Sequence, residues 1–317
     1  MKRLFLLSAI ALVAICSSSC GSSQSGAPAK SEPPKRHGWD YSPLYGDVES
    51  VVVTEYKLEQ KFGEIVRGDI ESRNKYYFNE AGNVVESAHY NFDGSLNSKR
   101  VYKYDSAGNP IESASYESNG SLDMKWIQKY DSAGNMIEEA SYDSGGSLDM
   151  KWVCKYDSAG NMIEFARYGS YGSLDDKHTY KYDALGNRIE SASYESNGSL
   201  RYKTIYKYDS AGNMIEMVSY DSGGSLDDKY TYKYDATGNM IEQLAYNSNG
   251  LLFRKMVNKY DSSGNPIESA HYGSDGSLGN KWVMKYDDLG SMIESTRYSG
   301  EALIPQSQTV YEITYRK

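Results

Sequence analysis

The sequence is poor in cysteine, proline and aliphatic residues. Among its 317 residues are 3 Cys, 7 Pro and 6 Phe, and only 39% are hydrophobic. So few cysteines exclude a disulfide-stapled scaffold, and so few aliphatic residues argue against two ordinary globular domains with thick cores. Positive charge is also scarce. The net charge of −9 excludes nucleic acid as an expected partner, because phosphate binding needs a basic surface.

Tyrosine and glycine are abundant instead, at 31 and 29 residues, and they recur with a strict period of 26 residues. The segment KYDSAGN or a close variant surrounds nine glycines from Gly82 to Gly290, and a second glycine series runs from Gly94 to Gly276. Turn signals therefore alternate at intervals of 12 and 14 residues. Such a period indicates a repeat architecture in which each unit is one supersecondary motif.

Between the turns, apolar and polar residues alternate with a period of two, which is typical of antiparallel strands. We therefore predict an all-β fold, a long antiparallel β-hairpin repeat meander that is twisted or coiled into a spiral or solenoid-like sheet. The KYDSAGN turns place Asp first and Gly where a left-handed backbone is needed, and the other series of turns again places Gly where φ must be positive. The predicted turn-forming residues are Asp105, Gly108, Asp131, Gly134, Asp157, Gly160, Asp183 and Gly186.

Equivalent residues of successive units should stack into columns. One face is predicted to carry a candidate binding surface that consists of Trp126, Trp152, Trp282, Tyr130, Tyr156, Tyr182, Tyr208 and Tyr234. If alternation is strict through each hairpin, this face also carries a second tyrosine column, from Tyr116 to Tyr298, and a glutamate column. The lysine columns then lie on the opposite face of the sheet. Because buried unpaired carboxylates are costly, either the glutamates lie at a solvated margin or the register differs by one residue.

The N-terminus indicates a location. Lys2 and Arg3 precede an apolar run at residues 4–15, which is too short to span a bilayer and fits a signal peptide. Small residues directly before Cys20 resemble the lipobox of bacterial lipoproteins, and the resemblance implies lipidation of Cys20. The domain prediction is a lipoprotein signal peptide (1–19), a flexible tether (20–45), an N-terminal capping hairpin (46–74), nine 26-residue repeats (75–300) and a C-terminal capping strand (301–317).

The motif Tyr-x-Tyr-Asp-x-x-Gly-Asn occurs at residues 102–109, 180–187, 206–213 and 232–239. It resembles the YD repeat of Rhs and teneurin-type proteins, over about residues 75–300 of this chain. The resemblance implies repeats that wrap as a β-spiral shell, which in those families sometimes encloses a toxin domain. Together with the N-terminus, it makes the chain similar to small YD-repeat lipoproteins of bacterial envelopes.

No constellation of residues predicts catalysis, a metal site or a cofactor, because the Ser and Asp residues stand mostly in turns where backbone capping explains them. The expected function is a non-catalytic binding or adhesion scaffold for glycan or protein, anchored by lipid in the bacterial envelope. The outer membrane is the expected location of the anchor. The alternatives are a purely structural envelope spacer and a shell-like YD-repeat protein associated with a secreted polymorphic toxin system.

Overall fold

The computed structural model describes Trp39 and residues 42–317, and every regular element in this part of the chain is a strand. The twenty strands are β1 (Val48–Lys61), β2 (Glu64–Phe78), β3 (Val84–Tyr90), β4 (Leu96–Tyr104), β5 (Pro110–Glu117), β6 (Leu122–Tyr130), β7 (Met136–Asp143), β8 (Leu148–Tyr156), β9 (Met162–Gly169), β10 (Leu174–Tyr182), β11 (Arg188–Glu195), β12 (Leu200–Tyr208), β13 (Met214–Asp221), β14 (Leu226–Tyr234), β15 (Met240–Tyr246), β16 (Leu252–Tyr260), β17 (Pro266–Gly273), β18 (Leu278–Tyr286), β19 (Met292–Ser299) and β20 (Ile304–Tyr315).

Each strand pairs antiparallel with its successor, and the last strand pairs with the first. Val51 of β1 aligns with Tyr76 of β2 on one side and with Ile313 of β20 on the other. The meander is therefore a closed β-barrel, and closure removes the open edges at which another chain could add a strand. The prediction of an all-β hairpin-repeat meander is confirmed, with the coil closing on itself.

The turns of one rim, which we call the aspartate rim, repeat one geometry. In the turn after β4, the Gly108 N–H donates to the Asp105 carbonyl oxygen, and the Asp105 N–H donates to that of Asn109. One carboxylate oxygen of Asp105 accepts from the backbone N–H groups of Ala107 and Asn109, and the other accepts from the Asn109 amide. Gly108 has a φ of 85°, which explains glycine at this position. The turns around Asp131, Asp157 and Asp183 have the same bonds.

A β-bulge in each hairpin of this rim changes the face on which the following residues lie. Lys155 pairs directly with Glu164, while the pairing skips Ile163. Because one extra residue reverses the alternation, the glutamate column lies on the lysine face. The second tyrosine column follows it, as the pairing of Lys151 with Tyr168 shows. The expectation that this tyrosine column shares a face with the tryptophans is therefore wrong, and the true register differs by one residue.

A hydrophobic cluster of the first three strands and the residues before them packs against β20 where the barrel closes. Its buried members are Trp39, Leu44, Val48, Val51, Val53, Tyr76, Phe78 and Val84. The residues before β1 cross the turn between β18 and β19, where the Tyr45 N–H donates to Ser291 Oγ and the Met292 N–H to the Pro43 carbonyl oxygen. The other turns of the aspartate rim have asparagine at the position of Ser291. The serine at this position accepts the bond from the residues before β1 and so helps to close the barrel.

Candidate functional site: the two faces of the barrel

The first face, here called the ladder face, carries Lys99, Val101, Lys103, Glu112, Ala114, Tyr116 and their equivalents at 26-residue intervals. Its central feature is a glutamate held between two lysines. Glu138 bonds the ammonium groups of Lys129 and Lys151, at 2.8 and 2.5 Å. The same bridge recurs at Glu112, Glu164, Glu190, Glu216, Glu242 and Glu268.

These bridges set the electrostatics of the ladder face. Hydrogen bonds from the two flanking lysines lower the pKa of five of the glutamates, namely Glu112, Glu138, Glu190, Glu216 and Glu242. The same bonds raise the pKa of lysines such as Lys103 and Lys129. All of these groups are therefore charged at neutral pH. Of the nine carboxylates that strict alternation would place unpaired on the aromatic face, seven are instead paired with two lysines, Glu86 is paired with Lys99, and Glu294 is paired with Lys285 and Arg67.

The ladder face is almost identical from one repeat to the next. The Lys99 and Lys103 positions are Lys in all eight copies, and the Glu112 and Tyr116 positions are Glu and Tyr in all nine. The Val101 position is always a β-branched residue. Each residue contacts the equivalent rows of both neighbouring strands, so a change in one copy affects two others. This explains the uniformity without any ligand.

The second face, here called the variable face, carries Ser98, Arg100, Tyr102, Ser113, Ser115 and their equivalents. The Arg100 position is occupied in turn by Trp126, Trp152, His178, Thr204, Tyr230, Met256 and Trp282, which makes six residue types in eight copies. The Ser98 position is equally diverse, with Met124, Met150, Asp176, Tyr202, Asp228, Arg254 and Asn280. The barrel therefore keeps one face constant while the other changes along the sheet.

The three predicted tryptophans lie on the variable face. The Arg100 guanidinium carbon lies 3.6 Å from the ring centroid of Trp126. The ring of His271 lies 4.8 Å from that of Trp282, centroid to centroid. Trp152 pairs in the sheet with Glu139 on one side and Arg167 on the other. Each tryptophan thus has charged or polar groups beside it, and guanidinium–aromatic contacts are favourable.

The predicted tyrosines have a structural role in addition to the one proposed for them. Tyr130, Tyr156, Tyr182, Tyr208 and Tyr234 each end a strand at the aspartate rim, and each hydroxyl donates to a carbonyl oxygen 20 residues earlier. For Tyr156 the acceptor is Met136, at 2.8 Å. These bonds tie each hairpin to the preceding one. Burial raises the pKa of Tyr130 to about 12, so its hydroxyl remains a donor.

Unpartnered polar atoms are concentrated on the variable face. Within the part of the chain that the structure describes, six buried side-chain nitrogen or oxygen atoms have no hydrogen-bond partner in the protein. Five of them belong to this face: Arg100 Nε, Gln128 Oε1, Arg167 Nε, Ser193 Oγ and Asp228 Oδ1. Since a buried polar group without a partner is destabilising, these atoms favour a polar occupant of the variable face.

Other predictions fall outside these faces. Cys20, the signal peptide and nearly all of the tether lie outside the described residues. Among residues 39 and 42–317, no group of three or more His, Cys, Asp or Glu side chains could hold a metal ion. No helix in the same residues is long and apolar enough to cross a membrane.

Sequence reasoning found the tryptophans but not their polar neighbours. Arg167 gave no signal, because its place on the tryptophan face depends on the pairing of two strands with a bulge between them. Arg100 and Asp176 share that face by alternation along their own strands but belong to no repeated motif. A comparison of the repeats position by position would have shown the variability of these columns.

No protein-family model matches the chain, and no curated protein matches it. Among solved structures, the chain is similar to TcdB2-TccC3-Cdc42 with 13% identity and a TM-score of 0.33 over 86% of this chain and 18% of that one. It therefore spans less than a fifth of the toxin chain. It is also similar to a porin-like protein from Bacteroides uniformis, with 8% identity and a TM-score of 0.38 over 84% of this chain and 96% of that one. Likenesses of this size carry no argument about function.

Proposed function

We propose that the protein is a non-catalytic binding scaffold of the bacterial envelope, anchored by lipid at Cys20, whose variable face binds glycans. The observation that carries the proposal is the contrast between a ladder face that is almost the same in every repeat and a face that differs in almost every repeat. Repeat proteins commonly use one surface of the stack for recognition.

A purely structural spacer gives no reason for this contrast. The ladder face already supplies paired charges and buried alanines, such as Ala114, Ala140 and Ala166, in repeat after repeat. If the other face served packing alone, one good solution repeated would be sufficient, as it is on the ladder face. Instead, the equivalent positions of the variable face hold Trp, His, Arg, Asp and Gln in different repeats.

The composition of the variable face favours a glycan over a protein partner. Sugar rings present apolar C–H faces that pack on aromatic rings, and hydroxyl groups that both donate and accept hydrogen bonds. Arg100 beside Trp126, and His271 beside Trp282, place such ring and polar groups together. Repetition of similar pairs along the sheet suits an extended polymer, because several weak contacts add in avidity.

The direct test is binding of the purified full chain, in detergent and carrying a fluorescent label, to an array of envelope and host glycans. The triple variant Trp126→Thr, Trp152→Thr and Trp282→Thr introduces the residue that Thr204 already provides at this position. We expect it to lose glycan binding. Tyr171→Ala is the matched control, since Tyr171 is a fully exposed aromatic residue in a turn. Equal binding by the triple variant and the control would overturn the proposal.

The lipid anchor has a separate test. Cells that express the full chain should incorporate labelled palmitate into it and hold it in the membrane fraction. Cys20→Ala should abolish both. Labelling that persists in this variant would contradict anchoring at Cys20 and leave the glycan proposal untouched.

A further inference from the structure

Resting on the proposed function, we infer that Phe165, Arg167, Asp176, His178, Ser193 and Tyr202 form a binding site for an uncharged sugar ring with adjacent hydroxyl groups. These six residues come from the four neighbouring strands β9 to β12 and all lie on the variable face.

The aromatic part of the site spans three strand spacings. Phe165 pairs with His178 across β9 and β10, and their ring centroids lie 6.0 Å apart. Ser193 of β11 pairs with both His178 and Tyr202. Because serine is small, the rings of His178 and Tyr202 lean over it to a centroid distance of 6.4 Å. The result is a row of three rings above a serine floor, in which successive rings are tilted by 52° and 58° and offer apolar contacts to a sugar ring.

The polar part of the site lies beside this row. Arg167 Nη2 bonds Asp176 Oδ2 at 2.5 Å, and Asp176 Oδ1 lies 3.7 Å from His178 Nε2. Asp176 is buried, with 7% of its surface exposed, and Ser193 has 0% exposed. Two of the unpartnered buried atoms, Arg167 Nε and Ser193 Oγ, lie here. The Arg167 guanidinium, whose side chain is 39% exposed, and the Asp176 carboxylate can together satisfy two adjacent sugar hydroxyls.

The charge of the site favours an uncharged ligand. The Arg167 guanidinium pairs with Asp176 and lies 3.8 Å from Asp175 Oδ2, and Arg201 nearby is paired through two nitrogens with Glu195, so neither cation is free to bind an anionic sugar. Burial lowers the pKa of His178 below its ordinary 6.5, although Asp176 opposes the shift, so the imidazole is neutral at pH 7. A charged sugar would therefore bring a net charge into a partly buried place with no free counter-charge.

The barrel does not need these residues. In the preceding repeats the Phe165 and Arg167 positions hold Ser113 and Ser115, and the His178 position holds Trp126 and Trp152, yet the strands pair in the same register. The Asp176 position holds Met124 and Met150 in those repeats, so four departures fall in two consecutive strands and meet at one point. Exchange of each for its neighbour's residue therefore gives variants that are compatible with the fold.

The test is calorimetric titration of the full chain in detergent with neutral oligosaccharides of glucose, galactose, mannose and N-acetylglucosamine, and with a uronic-acid oligosaccharide. Arg167→Ser, Asp176→Met and His178→Trp should each weaken neutral-sugar binding by about tenfold or more. Tyr171→Ala and Leu185→Ala change two exposed turn residues of the same repeat that lie outside the proposed binding surface. These controls should stay within about twofold of the unaltered chain.

Two results would overturn this inference while the proposed function stands. The first is neutral-sugar binding that survives all three site variants but disappears in the triple tryptophan variant. The second is tighter binding of the uronic-acid probe through Arg167. Failure of the full chain to bind any glycan would instead overturn the proposed function itself, and this site with it.

Discussion

The ladder face and the variable face are made by the same strands, yet only the ladder face is held constant. In β7, Glu138 belongs to the ladder face and bonds two lysines, whereas its sequence neighbour Glu139 belongs to the variable face and accepts one bond from Gln128. Because the ladder face repeats the same stabilising contacts in each unit, the residues of the variable face are free to differ between units. A β-barrel can therefore divide folding and recognition between alternate residues of a single strand.

The largest expected difference between the faces concerns two adjacent buried residues. Ala140 of the ladder face and Ser141 of the variable face are 4% and 1% exposed. Ala140→Arg should lower the free energy of unfolding by about 3 kcal/mol or more, because the position lies between paired lysine and tyrosine rows. Ser141→Arg should cost only about 1 kcal/mol, since Arg167 and Arg297 occupy equivalent positions. Denaturant unfolding of both variants measures the difference, and equal losses would contradict the division of the faces.

Acid should act on the barrel through the ladder face. The glutamates with lowered pKa values contribute stability that is complete above their ordinary pKa of 4.5. This stability is lost as the pH falls through their lower folded pKa values. We therefore expect the unfolding midpoint, followed by far-ultraviolet circular dichroism, to be constant from pH 7 to about pH 5 and to decrease steadily below about pH 4.5. A midpoint that does not change down to pH 3 would show that the bridges contribute no net stability.

The tyrosine bonds at the aspartate rim should have a smaller effect. Tyr156→Phe removes the hydroxyl that bonds the Met136 carbonyl oxygen and keeps the ring. The loss should be about 1 kcal/mol of unfolding free energy. Tyr171→Phe, at a fully exposed turn residue, is the control and should have no measurable effect. If Tyr156→Phe retains full stability, the hydroxyl bonds are a consequence of the fold and do not support it.

The smallest effect should separate Glu138 from Glu139. Glu138→Gln should cost about 0.5 kcal/mol, because its lysine partners are partly exposed and solvent screens the pairs. Glu139→Gln should have no measurable effect. The difference should shrink in 1 M salt. Denaturation at low and high salt tests this, and a larger loss in Glu139→Gln would reverse the assignment of the two faces.

The period of 26 residues was sufficient to predict strands and turns, because turn chemistry is local. Asp105 and Gly108 determine their turn within five residues, and Trp126 shares a face with its own strand neighbours by simple alternation. The register across the hairpin was not predictable in the same way, since it depends on whether Ile163 pairs with a residue of the neighbouring strand or is left unpaired in a β-bulge.

Closure and the polar half of the candidate site also escaped prediction. The pairing of Val51 with Ile313 joins the two ends of the repeat region, and no local signal encodes it. The cluster around Asp176 and His178 depends on four strands lying in the correct register. Long-range pairing is thus the step at which sequence reasoning ended, and it determines both the barrel and the site.

Closure of the sheet has a genetic consequence. Repeats as alike as these are prone to unequal recombination, which gains or loses whole 26-residue units. In an open solenoid such an event only lengthens or shortens the stack. In a ring closed by β1 and β20 it alters the circumference, by about a tenth for each pair of strands. Alleles that differ in unit number would therefore encode barrels of different width, each with its own set of variable-face residues.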